Sequence, residues 1–141
     1  DDRVLGVAVA DVEWEQELAP YGIGLSPWES DESGAEFRWT GRWASLPLQA
    51  NGTEAMISIW SRHPDIEQQP VVVDFFWNAA LKHTVELSGP EEVAVRIPVD
   101  VTRGTRGVLS LRVDRTWNTL VTGIPTETHE RGVGISRVKW R

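Results

Sequence analysis

The chain has 141 residues, a formal net charge of −7, eight tryptophans and no cysteine. This length fits one domain with a real core, and the missing cysteines exclude disulfides and thiolate metal sites. The acidic balance argues against a nucleic-acid partner or an anionic membrane surface, both of which require basic patches. No stretch approaches the ~20 apolar residues of a membrane span, so we expect no direct membrane insertion.

The opening and closing stretches resemble each other, and both are typical of β-strands. The residues that recur between them are Gly6, Val7, Val12 and Trp14 at the start and Gly132, Val133, Val138 and Trp140 at the end. Two explanations stay open. Either two terminal strands lie side by side in one sheet, or the chain is excised from a longer envelope protein with tandem units. In the second case, residues 1–14 are shared with an upstream unit. We predict a single domain over residues 1–141.

Residues 15–34 contain two prolines, several glycines and many acids, which predicts a long irregular connection. Strands are predicted at 36–40 and, beyond a turn at Gly41, at 43–48. Asn51-Gly52 is a strong hairpin signal leading into a strand at 55–60.

Alternating apolar residues predict further short strands, separated by turns that contain Gly, Pro or Asn. They lie at 71–77, 81–87, 93–99 and 109–113. Roughly eight short strands with no helical period predict an all-β antiparallel β-sandwich of the jelly-roll, galactose-binding-like type.

The sequence offers no scaffold for catalysis, so we expect a protein that is not an enzyme. It lacks a G-x-S-x-G motif and a cysteine, and its three histidines lie far apart. His63 precedes a proline, which is typical of a loop residue.

No metal-ligand spacing is present, so we expect no cofactor. A structural Ca²⁺ held by Asp31, Glu32 and nearby Glu29 is the alternative.

The tryptophans are the most informative residues for function. Sugars stack their C–H faces on flat aromatic rings while polar side chains bind their hydroxyls. Trp39 precedes the Gly41 turn, and Trp28 and Trp117 lie in or next to long loops. Together with polar neighbours they form the predicted ligand-binding set: Trp28, Glu29, Arg38, Trp39, Trp117 and Asn118. The alternative is that these tryptophans seal the ends of the core and that Glu29 and Arg38 form a structural ion pair.

Several short motifs follow one order along the chain: Gly24–Glu29, Phe37–Thr40, Pro70–Val73, Leu109–Trp117 and Gly132–Ile135. In that order, from about Gly24 to Trp140, the sequence resembles the extracytoplasmic C-terminal β-sandwich domain of bacterial membrane glycosyltransferases and phosphoglycerol transferases. Such domains look like carbohydrate-binding modules. One departure is that the family's closing motif, Arg-x-Leu-Gly-Val-x-Val, is matched better by Arg3–Val9 than by the chain's own end.

The resemblance implies a non-catalytic accessory domain, located outside the cytoplasm in the periplasm or at the cell surface. Its implied partners are a cell-envelope glycan, which it binds or positions, and a parent enzyme domain that carries out catalysis. The alternative function is a structural or protein-contact β-sandwich with no sugar ligand.

Overall fold

The computed structural model describes residues 23–121 and 124–141, with side chains described outside 118–130. This part of the chain is made of strands and contains no helix, which confirms the all-β prediction. The strands are β1 (Ile23–Leu25), β2 (Glu29–Ser30), β3 (Glu36–Gln49), β4 (Glu54–Trp60), β5 (Val71–Trp77), β6 (Ala80–Leu87), β7 (Val93–Pro98), β8 (Arg106–Val113), β9 (Trp117–Val121), β10 (Ile124–Arg131), β11 (Gly134–Ile135) and β12 (Lys139–Trp140). The predicted opening strand lies outside the described residues, so the single domain over 1–141 and the sharing of 1–14 stay predictions.

The strands form two antiparallel layers that share β3. In the first layer, the second half of β3 pairs with β8, β8 with β5, and β5 with β6. In the second layer, the first half of β3 pairs with β11, β11 with β4, and β4 with β7 and β12. Short β1 and β2 pair with β3, while β9 and β10 form a separate hairpin. The predicted antiparallel β-sandwich is therefore confirmed.

The core lies between the layers and follows the period-2 alternation of the strands. The first layer contributes Val71, Val73, Phe75 and Trp77 of β5, and the second layer contributes alternate residues of β4, all of them buried. Residues between these positions face outward. The outer surface of each layer is therefore specified by the same alternation that fills the core.

Two sequence predictions differ from the structure near Gly41 and Asn51. The strands predicted at 36–40 and 43–48 form one strand, because β3 continues past Gly41 and changes partner from β11 to β8. Asn51-Gly52 does not close a hairpin, because β3 enters the first layer before it and β4 belongs to the second. The tight hairpin instead joins β5 to β6 through Asn78 and Ala79, whose φ angles are 49° and 71°.

In residues 23–121 and 124–141, no helix is long and apolar enough to cross a membrane.

Candidate functional site

Three rows of side chains cross the outer face of the second layer, starting on β4 and continuing on its neighbours. Residues paired between adjacent strands point to the same face of a sheet. Because Ala55, Ile57 and Ile59 are buried, the alternate residues of β4 face outward. The rows are the aromatic row (Trp60, Gly134 and Trp39), the serine row (Ser58, Ala94 and Ser136) and the cationic row (Met56, Arg96 and Lys139).

The two indoles of the aromatic row are joined through Phe37, and that of Trp39 is buried. The ring centroid of Phe37 lies 5.9 Å from that of Trp39 and 5.6 Å from that of Trp60, both edge-on. Trp60 is half-buried, and its indole crosses Gly134 so closely that a Cβ there would lie 2.5 Å from Cε2 of Trp60. The Arg131 guanidinium lies 4.8 Å from the ring centroid of Trp39. Only glycine at position 134 leaves room for the Trp60 indole to lie across the strand.

These rows form the floor of an open groove. A cleft of about 690 Å³ lies over the aromatic row, and a second of about 680 Å³ lies over the serine and cationic rows. The two clefts share four lining residues, Ser30, Glu36, Glu92 and Ser136, and so form one surface that we name the outer groove. The volume of each cleft is within the range of small-molecule sites in proteins.

A tight turn forms one wall of the outer groove. The Asp31 carboxylate accepts hydrogen bonds from the Ser33 hydroxyl at 2.7 Å and from the backbone N–H groups of Ser33 and Ala35 at 2.9 and 3.0 Å. These bonds, led by the Ser33 hydroxyl, lower the pKa of Asp31. The wall is therefore a hydrogen-bonded turn with an ionised carboxylate.

An ion pair and an indole stand where the two clefts meet. Nε of Arg137 donates to Oε1 of Glu36 at 2.6 Å, and this hydrogen bond, together with the Arg137 charge, lowers the pKa of Glu36. The Arg137 guanidinium lies 4.2 Å from the Trp28 ring centroid, and that of Arg38 lies 4.8 Å from it. Trp28 thus contacts two cations, one of which reaches the groove.

Arg38 acts from inside the sandwich rather than from its surface. It is 1% exposed, lies opposite Ile135 on the inner side of β3, and donates from Nε to the Ser26 carbonyl at 3.0 Å. Burial lowers the pKa of Arg38, and the nearby Arg137 charge adds to that effect. Its position allows it to support Trp28 from below.

The structure brings four of the six predicted site residues to this region. Trp39 lines the groove, while Trp28 and Arg38 contact each other beside it. Glu29 is exposed on β2, next to the groove residue Ser30. Trp117 is not a lining residue of the groove: it pairs with Arg131, and its ring centroid lies 6.1 Å from that of His63. The side chain of Asn118 lies outside the described residues.

Sequence reasoning missed several groove residues, and one pattern would have found some of them. The alternation of buried Ala55, Ile57 and Ile59 places Met56, Ser58 and Trp60 outside. The same alternation in β7, where Val95 and Ile97 are buried, places Arg96 outside. Other groove residues lie outside these two strands and had no such signal, among them Glu36, Arg62, Glu92, Ser136, Arg137 and Lys139.

One Ser–His contact in the described residues resembles a nucleophile–base pair, but solvent does not reach it. Oγ of Ser61 lies 2.6 Å from Nδ1 of His63, with Ser61 at 0% and His63 at 3% exposure. Nε2 of His63 lies 3.0 Å from the Arg115 carbonyl oxygen.

No group of three or more His, Asp or Glu side chains in the described part of the chain has a metal-binding arrangement. The calcium site at Asp31 and Glu32 stays a prediction.

No protein-family model and no curated protein matches the chain. Among solved structures, the CBM36-1 domain of a multidomain xylanase from the hindgut metagenome of Trinervitermes trinervoides is 14% identical, with a TM-score of 0.42, over 84% of this chain and 91% of its own. A family 35 carbohydrate-binding module from an environmental isolate is 13% identical, with a TM-score of 0.44, over 82% and 86%. A family 35 module from Clostridium thermocellum is 8% identical, with a TM-score of 0.42, over 81% and 88%. Sequence identities and TM-scores this low carry no argument about function. The function proposed below therefore rests on the residues of the outer groove.

Proposed function

We propose that this domain is a non-catalytic accessory module that binds an oligosaccharide in the outer groove. The observation that carries the proposal is the half-buried indole of Trp60, which lies in the floor of a groove with carboxylates, hydroxyls and guanidinium groups on its rims. A sugar ring places its C–H face on such an indole while its hydroxyls bind the polar groups alongside.

The polar rims are arranged to hold hydroxyl groups without large reorganisation. The turn that carries Asp31 is fixed by its own hydrogen bonds, and Glu36 is fixed by Arg137. Groups already held in place lose little freedom when a ligand binds, so more of the interaction energy is available for affinity. We therefore assign Glu36 and Arg137 to direct contact with the sugar.

The residues predicted from sequence take different roles in this proposal. Trp39 belongs to the groove floor, and Glu29 stands at its rim. Trp28 supports the groove from the side because its ring contacts Arg137, and Arg38 in turn contacts Trp28. Contacts from Trp117 and Asn118 stay a separate prediction.

The wider setting is also part of the proposal. We infer that the ligand is a cell-envelope glycan, that the domain lies outside the cytoplasm, and that it positions the glycan for an attached enzyme. The sequence resemblance supports this setting. The buried Ser61–His63 contact gives no support for catalysis by the domain itself.

A second candidate function is a protein-contact sandwich without a sugar ligand. The outer face of the first layer favours it, since Trp43 is 47%, Leu81 57% and Val108 38% exposed there. Exposed apolar side chains of this kind are typical of interaction surfaces. The experiment below separates the two candidates, because it removes one indole from each layer.

A glycan array followed by titration calorimetry tests the proposal on the folded domain. We expect Trp60→Ala to weaken the strongest glycan found on the array by about 2 kcal/mol, roughly 30-fold in Kd, as for an aromatic anchor residue. Trp43→Ala is the matched control, since it removes an equally large indole from the opposite face, and it should bind like the wild type. Absence of binding to every glycan, or wild-type affinity in Trp60→Ala, would contradict the proposal.

A further inference from the structure

Three of the four cationic side chains that line the outer groove lie at one end of it, whereas Arg62 lines the aromatic end. Arg96 and Lys139 flank Met56 in the cationic row, and Arg137 lies near them in the same cleft. The protein as a whole carries a formal net charge of −7. A local concentration of cations on an acidic protein marks a place where the potential differs in sign from its surroundings.

Two of these three cations are free to bind a ligand. Arg137 is already paired with Glu36, whereas neither Arg96 nor Lys139 makes a salt bridge with the side chains described in 23–117 and 131–141. Both side chains are exposed. β7 and β12 lie on either side of β4, and neighbouring strands are about 4.8 Å apart. The two long side chains can therefore reach the same group above Met56.

The aromatic and cationic rows are separated by a defined distance. Trp60 lies four positions after Met56 along β4, and a strand rises about 3.3 Å per residue, which gives about 13 Å. The serine row between them carries only small side chains. A ligand can therefore lie along β4 from the indole to the two cations without meeting a bulky residue.

We propose that the outer groove selects an acidic glycan, with one sugar ring on Trp60 and an anionic group held between Arg96 and Lys139. This inference rests on the proposed function and specifies the class of its ligand. The anionic group is a carboxylate or a phosphate. Arginine binds either one through paired hydrogen bonds, and lysine adds a point charge. A neutral glycan would leave Arg96 and Lys139 without an anionic partner, so the cationic row would add nothing to its affinity.

The test compares three oligosaccharide probes of matched length on the intact domain: one of uronic acids, its carboxyl-reduced neutral form, and one of sugars bridged by phosphodiesters. We expect wild type to bind an acidic probe more tightly than the neutral one, with an affinity that falls as salt rises. The Arg96→Gln/Lys139→Gln variant should lose about 30-fold for that acidic probe and keep its affinity for the neutral one. Tight binding of the uronate probe identifies a carboxylate as the ligand group, and tight binding of the phosphodiester probe identifies a phosphate.

The control variant is Arg112→Gln/Lys82→Gln, which changes the net charge by the same amount in the first layer and should keep the acidic preference. An equal loss in the control, or equal affinity of wild type for acidic and neutral probes, would overturn the inference. If the neutral probe still depends on Trp60 in that case, glycan binding stands and only the charge selection fails. If no probe binds, both proposals fail.

Discussion

At the scale of single residues, His63 shows how burial favours the neutral form of a histidine. The Arg115 carbonyl can only accept, so Nε2 of His63 carries the hydrogen, and Nδ1 accepts from the Ser61 hydroxyl. The Ser61 oxygen in turn accepts from the backbone N–H of His63. Every group in this network is satisfied only when the ring is neutral. Burial therefore lowers the pKa of His63 below its ordinary value of 6.5.

The lowered pKa of His63 predicts a stability that depends on pH. The unfolded chain binds a proton near pH 6.5 and the folded chain does so only at lower pH, so this contribution is complete above pH 6.5 and is lost as the pH falls below it. Thermal unfolding followed between pH 7.5 and 5 should show a falling midpoint. His63→Gln should be less stable at neutral pH but show a flatter decline across this range. A decline as steep as in the wild type would assign the pH dependence to other groups.

At the scale of elements, the β5–β6 hairpin is formed without the residue that its turn prefers. Asn78 and Ala79 have φ angles of 49° and 71°, the left-handed conformation that a type I′ turn requires at both central positions. Asparagine tolerates this conformation, but the Cβ of alanine makes it costly. The flanking pair, Trp77 and Ala80, nevertheless closes the hairpin in register.

Relief of this strain should stabilise the domain. We expect Ala79→Gly to raise the free energy of unfolding by about 0.5–1 kcal/mol, because glycine adopts a φ of 71° freely. Ala80→Gly is the matched control: Ala80 is the first residue of β6 and has no positive φ, so the same change should destabilise the domain by a similar amount. Urea unfolding measures both. A loss of stability in Ala79→Gly would contradict the role assigned to the turn.

At the scale of the whole molecule, the two layers depend on each other through one core. Phe75 is fully buried in a core cluster that contains residues of both layers. Strand β3 belongs to both layers, so neither layer can form its complete hydrogen bonding alone. The outer groove depends on this arrangement, because its floor strands β4 and β11 bury their inner faces against the first layer.

This dependence predicts that a change in the first layer destabilises the whole domain. Phe75→Ala should lower the free energy of unfolding by about 3–5 kcal/mol, the usual cost of removing a buried aromatic ring. Val108→Ala, on the outer face of the same layer, should change it by less than about 0.5 kcal/mol. Urea unfolding read by tryptophan fluorescence and by circular dichroism should give coincident transitions in both variants. Two separate transitions would show that the layers unfold independently.

Patterns within a single strand could be interpreted without the structure. The alternation in residues 71–77 predicted which side chains are buried, and the absence of helical periodicity predicted the all-β class. Trp39 was singled out as a ligand-binding residue and lines the groove. The partner change of β3 had no such signal, because Gly41 is typical of a turn as well as of a strand that bends. The same limit applies to Asn51-Gly52, where a hairpin motif joins two different layers.

The sequence alone determined the class of fold and the inward and outward faces of most strands. Its composition also showed an unusually high content of tryptophan and an excess of acidic residues. Only the tertiary structure decided that the aromatic, serine and cationic rows share one face. Their members come from β3, β4, β7, β11 and β12 and the segment beside β12, which are far apart in the chain. Local periodicity reports which face of a strand is buried, whereas the order of strands in a sheet depends on long-range pairing. For that reason the indole of Trp60 and the charges of Arg96 and Lys139 came together only in the folded molecule.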